Sequence, residues 1–170
     1  MMAKKDDVTP IEVENAEIIW TNFKGEENAN NREGNRNFCW KIVDPELAQR
    51  LAQLGWNIKH HDPREDGNPE EFDYLPVFIR FDVVPPDIYL IKDGVASDIP
   101  LKEEAIGTLD GKKYRHLDLV IVPYFWEYPK GCPHAKRGIK AMLSEMYVET
   151  DVSGRFRNKW RHNDGLPFDQ

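Results

Sequence analysis

Apolar, β-branched and aromatic residues recur in short runs that glycine, proline or asparagine cuts off within about ten positions. This punctuation limits the possible folds more than any other feature. The 12 prolines and 11 glycines are spread along the 170 residues rather than clustered. Such spacing suits many short strands joined by turns. Residues 11–23 read as a strand bent near Glu14-Asn15, and residues 38–43 as a compact apolar strand. Residues 56–59, 74–83, 88–91 and 117–122 read as further strands. Residues 139–150 fit helix or strand by propensity, but the end Met146-Tyr147-Val148 favours the sheet. The polar stretches 24–35 and 60–72 read as loops, and residues 102–109 as a short helix or linking arm.

One helix is well marked. Asp44 supplies a capping carboxylate, Pro45 the first helical position and Glu46 an acid at the positive end of the dipole. Leu47, Ala48, Leu51 and Leu54 form one apolar face, and Gly55 can take the left-handed cap.

Together these elements predict a mainly β fold with about six to eight strands, long loops and one or two short helices. A small barrel fits, and an oligonucleotide-binding barrel is one architecture of that description. One domain is expected over residues 11–162, after a polar leader at 1–10 and before a short tail at 163–170. With 40% hydrophobic and 31% charged residues the composition is globular, and no apolar run approaches the roughly 18 residues that span a membrane. The start, Met1-Met2-Ala3-Lys4-Lys5-Asp6-Asp7, lacks the apolar core of a signal peptide. Two cysteines, Cys39 and Cys132, build no disulfide framework and point to a reducing compartment.

Charge is distributed unevenly. The formal net charge is −7, yet Arg155, Arg157, Lys159 and Arg161 put four cations within eight residues, interleaved with Phe156 and Trp160. In an extended segment the cations share one face and the rings the other. Cations that track phosphates and rings that stack bases suit a single-stranded nucleic acid; cations guarding a solvated edge strand give the same pattern. Arg32, Arg36, Lys59, His60, His61 and Arg64 form a second cationic group, and Lys136, Arg137 and Lys140 extend it. Tyr124 and Trp126 share a strand face, as stacking platforms or as core. Trp40 and Trp56 read as core, whereas Trp20 and Phe23 flank the asparagine-rich loop and can turn either way.

Other chemistry is thin. Cys132-Pro133-His134 with His60-His61 supplies zinc-ligand types without paired ligand spacing. Asp87 with Asp110-Gly111-Lys112 loosely matches a metal-dependent nuclease, but the second group reads as a turn. Neither a metal nor a cofactor is expected, nor catalysis.

The block Leu119-Val120-Ile121-Val122-Pro123-Tyr124-Phe125-Trp126, a glycine-containing turn, and the closing run 139–149 resemble the end of phage replication-type single-stranded DNA-binding proteins. Asn35-Arg36-Asn37-Phe38 and Ile88-Tyr89-Leu90-Ile91 are similar as well. The resemblance covers residues 15–150 loosely and implies an oligonucleotide-binding barrel. It implies sequence-independent protection of single strands during replication or recombination, without cofactor, in the host cytoplasm. The DNA contacts expected on this view are Arg32, Arg36, Lys59, Arg64, Tyr124, Trp126, Lys136, Lys140, Arg155, Phe156, Arg157, Lys159, Trp160 and Arg161. Replication proteins are further expected partners, and a homo-oligomer is compatible. The long acidic tail usual in that family is missing from the sequence given: it ends Asn163-Asp164-Gly165-Leu166-Pro167-Phe168-Asp169-Gln170. The acidic balance also fits a rival reading, an acidic protein-binding module that antagonises a basic host partner.

Overall fold

Two strands of 16 residues, β8 (Lys113–Tyr128) and β9 (Lys136–Asp151), form the antiparallel spine of the molecule. The computed structural model describes residues 5–151. Leu117, Leu119 and Ile121 of β8 face inward with Leu143, Met146 and Val148 of β9, and all six are buried. Both strands run beyond their expected ends, and β8 does so through Pro123. Proline belongs on sheet edges, and past Ile121 the only neighbour of β8 among the described residues is β9.

The remaining strands are β1 (Ile11–Val13), β2 (Glu17–Asn22), β3 (Arg36–Ile42), β4 (Lys59–His61), β5 (Phe72–Ile79), β6 (Asp87–Lys92) and β7 (Val95–Ala96). The path through the sheet is β1-β8-β9-β5-β3-β2, with β5 parallel to β9 and the other neighbours antiparallel. No ladder joins β1 to β2, so the sheet is not closed. The chain itself spans the gap. At the bend foreseen near Glu14-Asn15, Asn15 takes a left-handed φ of 53° and its N–H donates to Asp118 Oδ1 at 3.0 Å. Ala16 N–H then donates to Leu117 O at 2.7 Å before β2 turns to β3. Counting β1 and β2 as one kinked strand leaves five principal strands in a partly open barrel of the oligonucleotide-binding type.

The interior is filled by side chains. Phe23 stacks on Phe38 with centroids 5.7 Å apart, and Trp40, Leu75, Val77 and Ile121 are buried around them. Helix α1 (Pro45–Leu54) has the expected ends: Asp44 Oδ1 accepts from Glu46 N–H at 3.0 Å, and Gly55 has φ 108°. Trp56 is core, as expected, and bridges to Ile139. Two expectations shift. The strand read at 56–59 runs at β4 instead, and the 60–72 loop contains a short helix α2 (Pro63–Asp66) and the buried His61. Val8, within the expected leader, packs into the core.

Residues 103–109 form a 3-10 helix that buries Ile106 and Leu109. It ends at Asp110, whose two carboxylate oxygens accept from Phe23 N–H at 2.8 Å and Lys24 N–H at 2.9 Å. This fixes the start of the 24–35 loop. Asp110→Ala orphans two backbone donors, one of them part-buried, at about 1–3 kcal/mol. A denaturant titration should show that loss with an unchanged m-value. Asp110 is thus structural, and no cluster of three or more metal-ligating side chains occurs among the described residues.

Candidate nucleic-acid interface

The outer face of β5 is aromatic because alternation sends Leu75, Val77 and Ile79 inward and Phe72, Tyr74, Pro76 and Phe78 outward. β3 presents Asn37, Cys39 and Lys41 on the same face, opposite Phe78, Pro76 and Tyr74. Burial pushes the Cys39 thiol up to about 11. Pro76 costs the sheet little, since it falls between the stretch of β5 that β4 covers and the stretch that β9 covers.

Trp20 reaches this face through a bulge. Ile19 pairs with Cys39 and Asn22 with Asn37, so β2 spends one residue more than β3. Trp20 takes φ 50° there, a costly backbone for a bulky side chain. Its ring, 48% exposed, meets Tyr74 edge-on at 4.9 Å. Phe72 lies 5.8 Å from Trp20, and the buried His61 stacks on Phe72 at 4.7 Å. The Glu70 carbonyl and the Asp66 carboxylate flank the His61 nitrogens, and they hold its pKa above the ordinary value.

The asparagines of the following loop build the loop itself. Asn22 Oδ1 accepts from Glu26 N–H at 2.9 Å, and Asn31 Nδ2 donates to the carbonyls of Glu26 and Asn35, each at 2.9 Å. Asn35 and Asn37 both donate to Asn31 Oδ1 at 2.9 Å. Gly34 N–H closes onto Gly25 O at 2.7 Å, and a Cβ on Gly25 would sit 3.1 Å from Gly34 C. Between loop, Trp20 and Tyr74 lies a groove of about 990 Å³, with Lys59 in its lining.

A second groove of about 380 Å³ shares Pro76 and Phe78 with the first and is walled by Trp56, Trp126, Arg137 and Lys140. At these shared residues the two adjoin on the outer face of β5 as a track. Its far end is the β8–β9 hairpin, where Tyr124, Trp126 and Tyr128 stand outward opposite Lys140, Gly138 and Lys136. All three rings are exposed. Trp126 lies over Gly138, where an added Cβ would come within 2.7 Å of its ring. Lys140 Nζ sits 4.4 Å from the centre of the Phe78 ring and joins hairpin to sheet.

The structure therefore brings Lys59, Tyr124, Trp126, Lys136 and Lys140 of the expected contacts to one track, but not the other described ones. Arg36 is half-buried and ion-paired with Glu103 at 2.7 Å, tying β3 to the 3-10 helix. Arg64 forks onto its neighbour Asp62 at the start of α2, and it and the exposed Arg32 are outside both groove linings. Arg155, Phe156, Arg157, Lys159, Trp160 and Arg161 lie outside the described residues. Sequence reasoning missed Tyr74 and Phe78, although their alternation with Leu75, Val77 and Ile79 was readable.

A family model described as "Putative phage ssDNA-binding domain" matches residues 2–153. The chain belongs to this family. Two solved structures are similar to this phage ssDNA-binding domain across its length. The C-terminally truncated single-stranded DNA-binding protein from bacteriophage Enc34 matches with a TM-score of 0.54 at 13% identity, covering 85% of this chain and 87% of that one. The bacteriophage Enc34 protein in complex with ssDNA matches with a TM-score of 0.52 at 15% identity, covering 85% and 88%. At these identities the likeness establishes the fold. No curated protein matches the chain. The family is described as one of ssDNA-binding domains, which places this domain among binding proteins.

Proposed function

We propose that this phage domain holds single-stranded DNA along the track from Trp20 to Tyr128 and supports phage DNA replication or recombination in the host cytoplasm. The observation that carries the reading is the succession of exposed or half-buried rings, Trp20, Tyr74, Phe78, Trp126 and Tyr128, beside Lys59, Lys136 and Lys140. Cations draw phosphates in, and each ring offers a flat surface to a base. Every base has such a surface, so stacking alone discriminates weakly. One solved relative is itself described as a complex with ssDNA, which supports the same ligand here.

Fluorescence anisotropy of the full chain with a labelled strand of about thirty nucleotides, at several salt concentrations and against duplex, tests the proposal. Tight binding that favours the single strand is expected. If Lys59, Lys136 and Lys140 neutralise the phosphates, log K should fall against log salt with a slope near −2, about 0.7 for each phosphate contact. A steeper slope would enlist the cations at 155–161. No binding at low salt, or equal affinity for duplex, would sink the reading.

A further inference from the structure

β5 divides the first groove into two banks of opposite chemistry. On one side run β4, which places Lys59 in the groove opposite Tyr74, and β9, which places Lys140, a lining residue of the second groove, over the Phe78 ring. On the other side lie β3, β2 and the 24–35 loop, whose contribution to the lining includes Asn22, Asn37, Glu26 and Glu27. The loop's own cations, Lys24 and Arg32, are exposed and do not line the groove.

The exposed carboxylates of the second bank disfavour phosphates there. A strand that keeps its phosphates near Lys59 and Lys140 must therefore lay its bases across Tyr74 and Phe78, with their edges toward the loop. Of the lining amides, Asn28 Oδ1 accepts from Asn30 N–H, and the Asn30 side chain takes part in no hydrogen bond among the described residues. Asn30 can offer a donor or an acceptor and so does not itself discriminate. Asn22, Asn31, Asn35 and Asn37 are spent on one another and on backbone. The side chains of Glu26 and Glu27, in contrast, take part in no hydrogen bond or ion pair among the described residues.

An ionised carboxylate is purely an acceptor. It can receive the exocyclic amine of cytosine or adenine, whereas thymine presents a carbonyl oxygen at the same position. We infer that Glu26 and Glu27 read the edges of stacked bases and make the groove favour amino-bearing bases, cytosine over thymine in particular. This rests on the proposed DNA path.

Cytosine and thymine homopolymers of about thirty nucleotides provide the test, because both are pyrimidine strands with weak stacking of their own. Their affinities for the full chain are compared by anisotropy at pH 8, where cytosine strands stay unfolded. The cytosine strand should bind at least about fivefold tighter. In the Glu26→Gln, Glu27→Gln variant, whose amides donate as well as accept, the ratio should collapse to within about twofold, largely through tighter thymine binding. Equal or weaker binding of the cytosine strand by the unmodified chain overturns the inference and leaves DNA binding intact. A preference that survives in the double variant overturns the assignment to these two residues. If neither strand binds, the inference falls together with the DNA-binding reading.

Discussion

Trp20→Ala and Trp126→Ala should each weaken single-strand binding by about 1–3 kcal/mol, roughly five- to 150-fold, the contribution of one stacked base. Both rings are 40% exposed or more, so neither loss opens a large cavity, and thermal unfolding should move little. The two belong to different parts of the track, one beside Tyr74 and one over Gly138. They share no partner, so their losses should add. Anisotropy titration of both single variants and the double variant checks each point. Trp20 offers a further control. At φ 50° glycine is unstrained where alanine is not, so Trp20→Gly should bind as poorly as Trp20→Ala while unfolding at a higher denaturant concentration. That result would show that the strained backbone serves to aim the ring rather than to hold the fold.

Gly138→Val should imitate the loss of Trp126 without touching it. A Cβ at position 138 would lie 2.7–2.8 Å from Trp126 Cζ2, Cε2 and Nε1, closer than any carbon tolerates. The ring is the more mobile partner and must leave its place over the strand. Valine suits β9 intrinsically, so strand formation itself does not suffer. Binding should fall nearly as far as in Trp126→Ala, and the double variant should bind no worse than either single one. Additive losses would instead mean that Gly138 and Trp126 act separately.

Much of the architecture was legible because local chemistry decided it. Asp44, Pro45 and Gly55 bounded α1 correctly, and the Glu14-Asn15 bend proved to be the point where the chain crosses from β8 to β3. Tyr124 and Trp126 share an outward face, as their spacing allowed, and Trp40 and Trp56 are core. The site was less legible because it depends on pairing between distant strands. Nothing local says that Trp20 leaves the interior, since that follows from one extra residue in β2 against β3. Arg36 looked like a phosphate ligand until the fold set Glu103 against it, 67 residues later in sequence. Lys140 is a strand cation in sequence, and only the parallel pairing of β5 with β9 brings it over Phe78.

Photo-cross-linking tests the central claim, that the strand lies along the β5 face and the hairpin. The full chain would be irradiated with a single strand carrying 5-iododeoxycytidine at successive positions, and the attached peptides identified by mass spectrometry. Cross-links at Trp20, Tyr74, Phe78 or Trp126 are the expected result. The barrel supplies its own counter-site: Tyr89 and Tyr147 stack at 5.1 Å on the strand pair that also brings Asp87 against Glu145. Cross-links confined to those two tyrosines, or to Phe156 and Trp160, would contradict the proposed path.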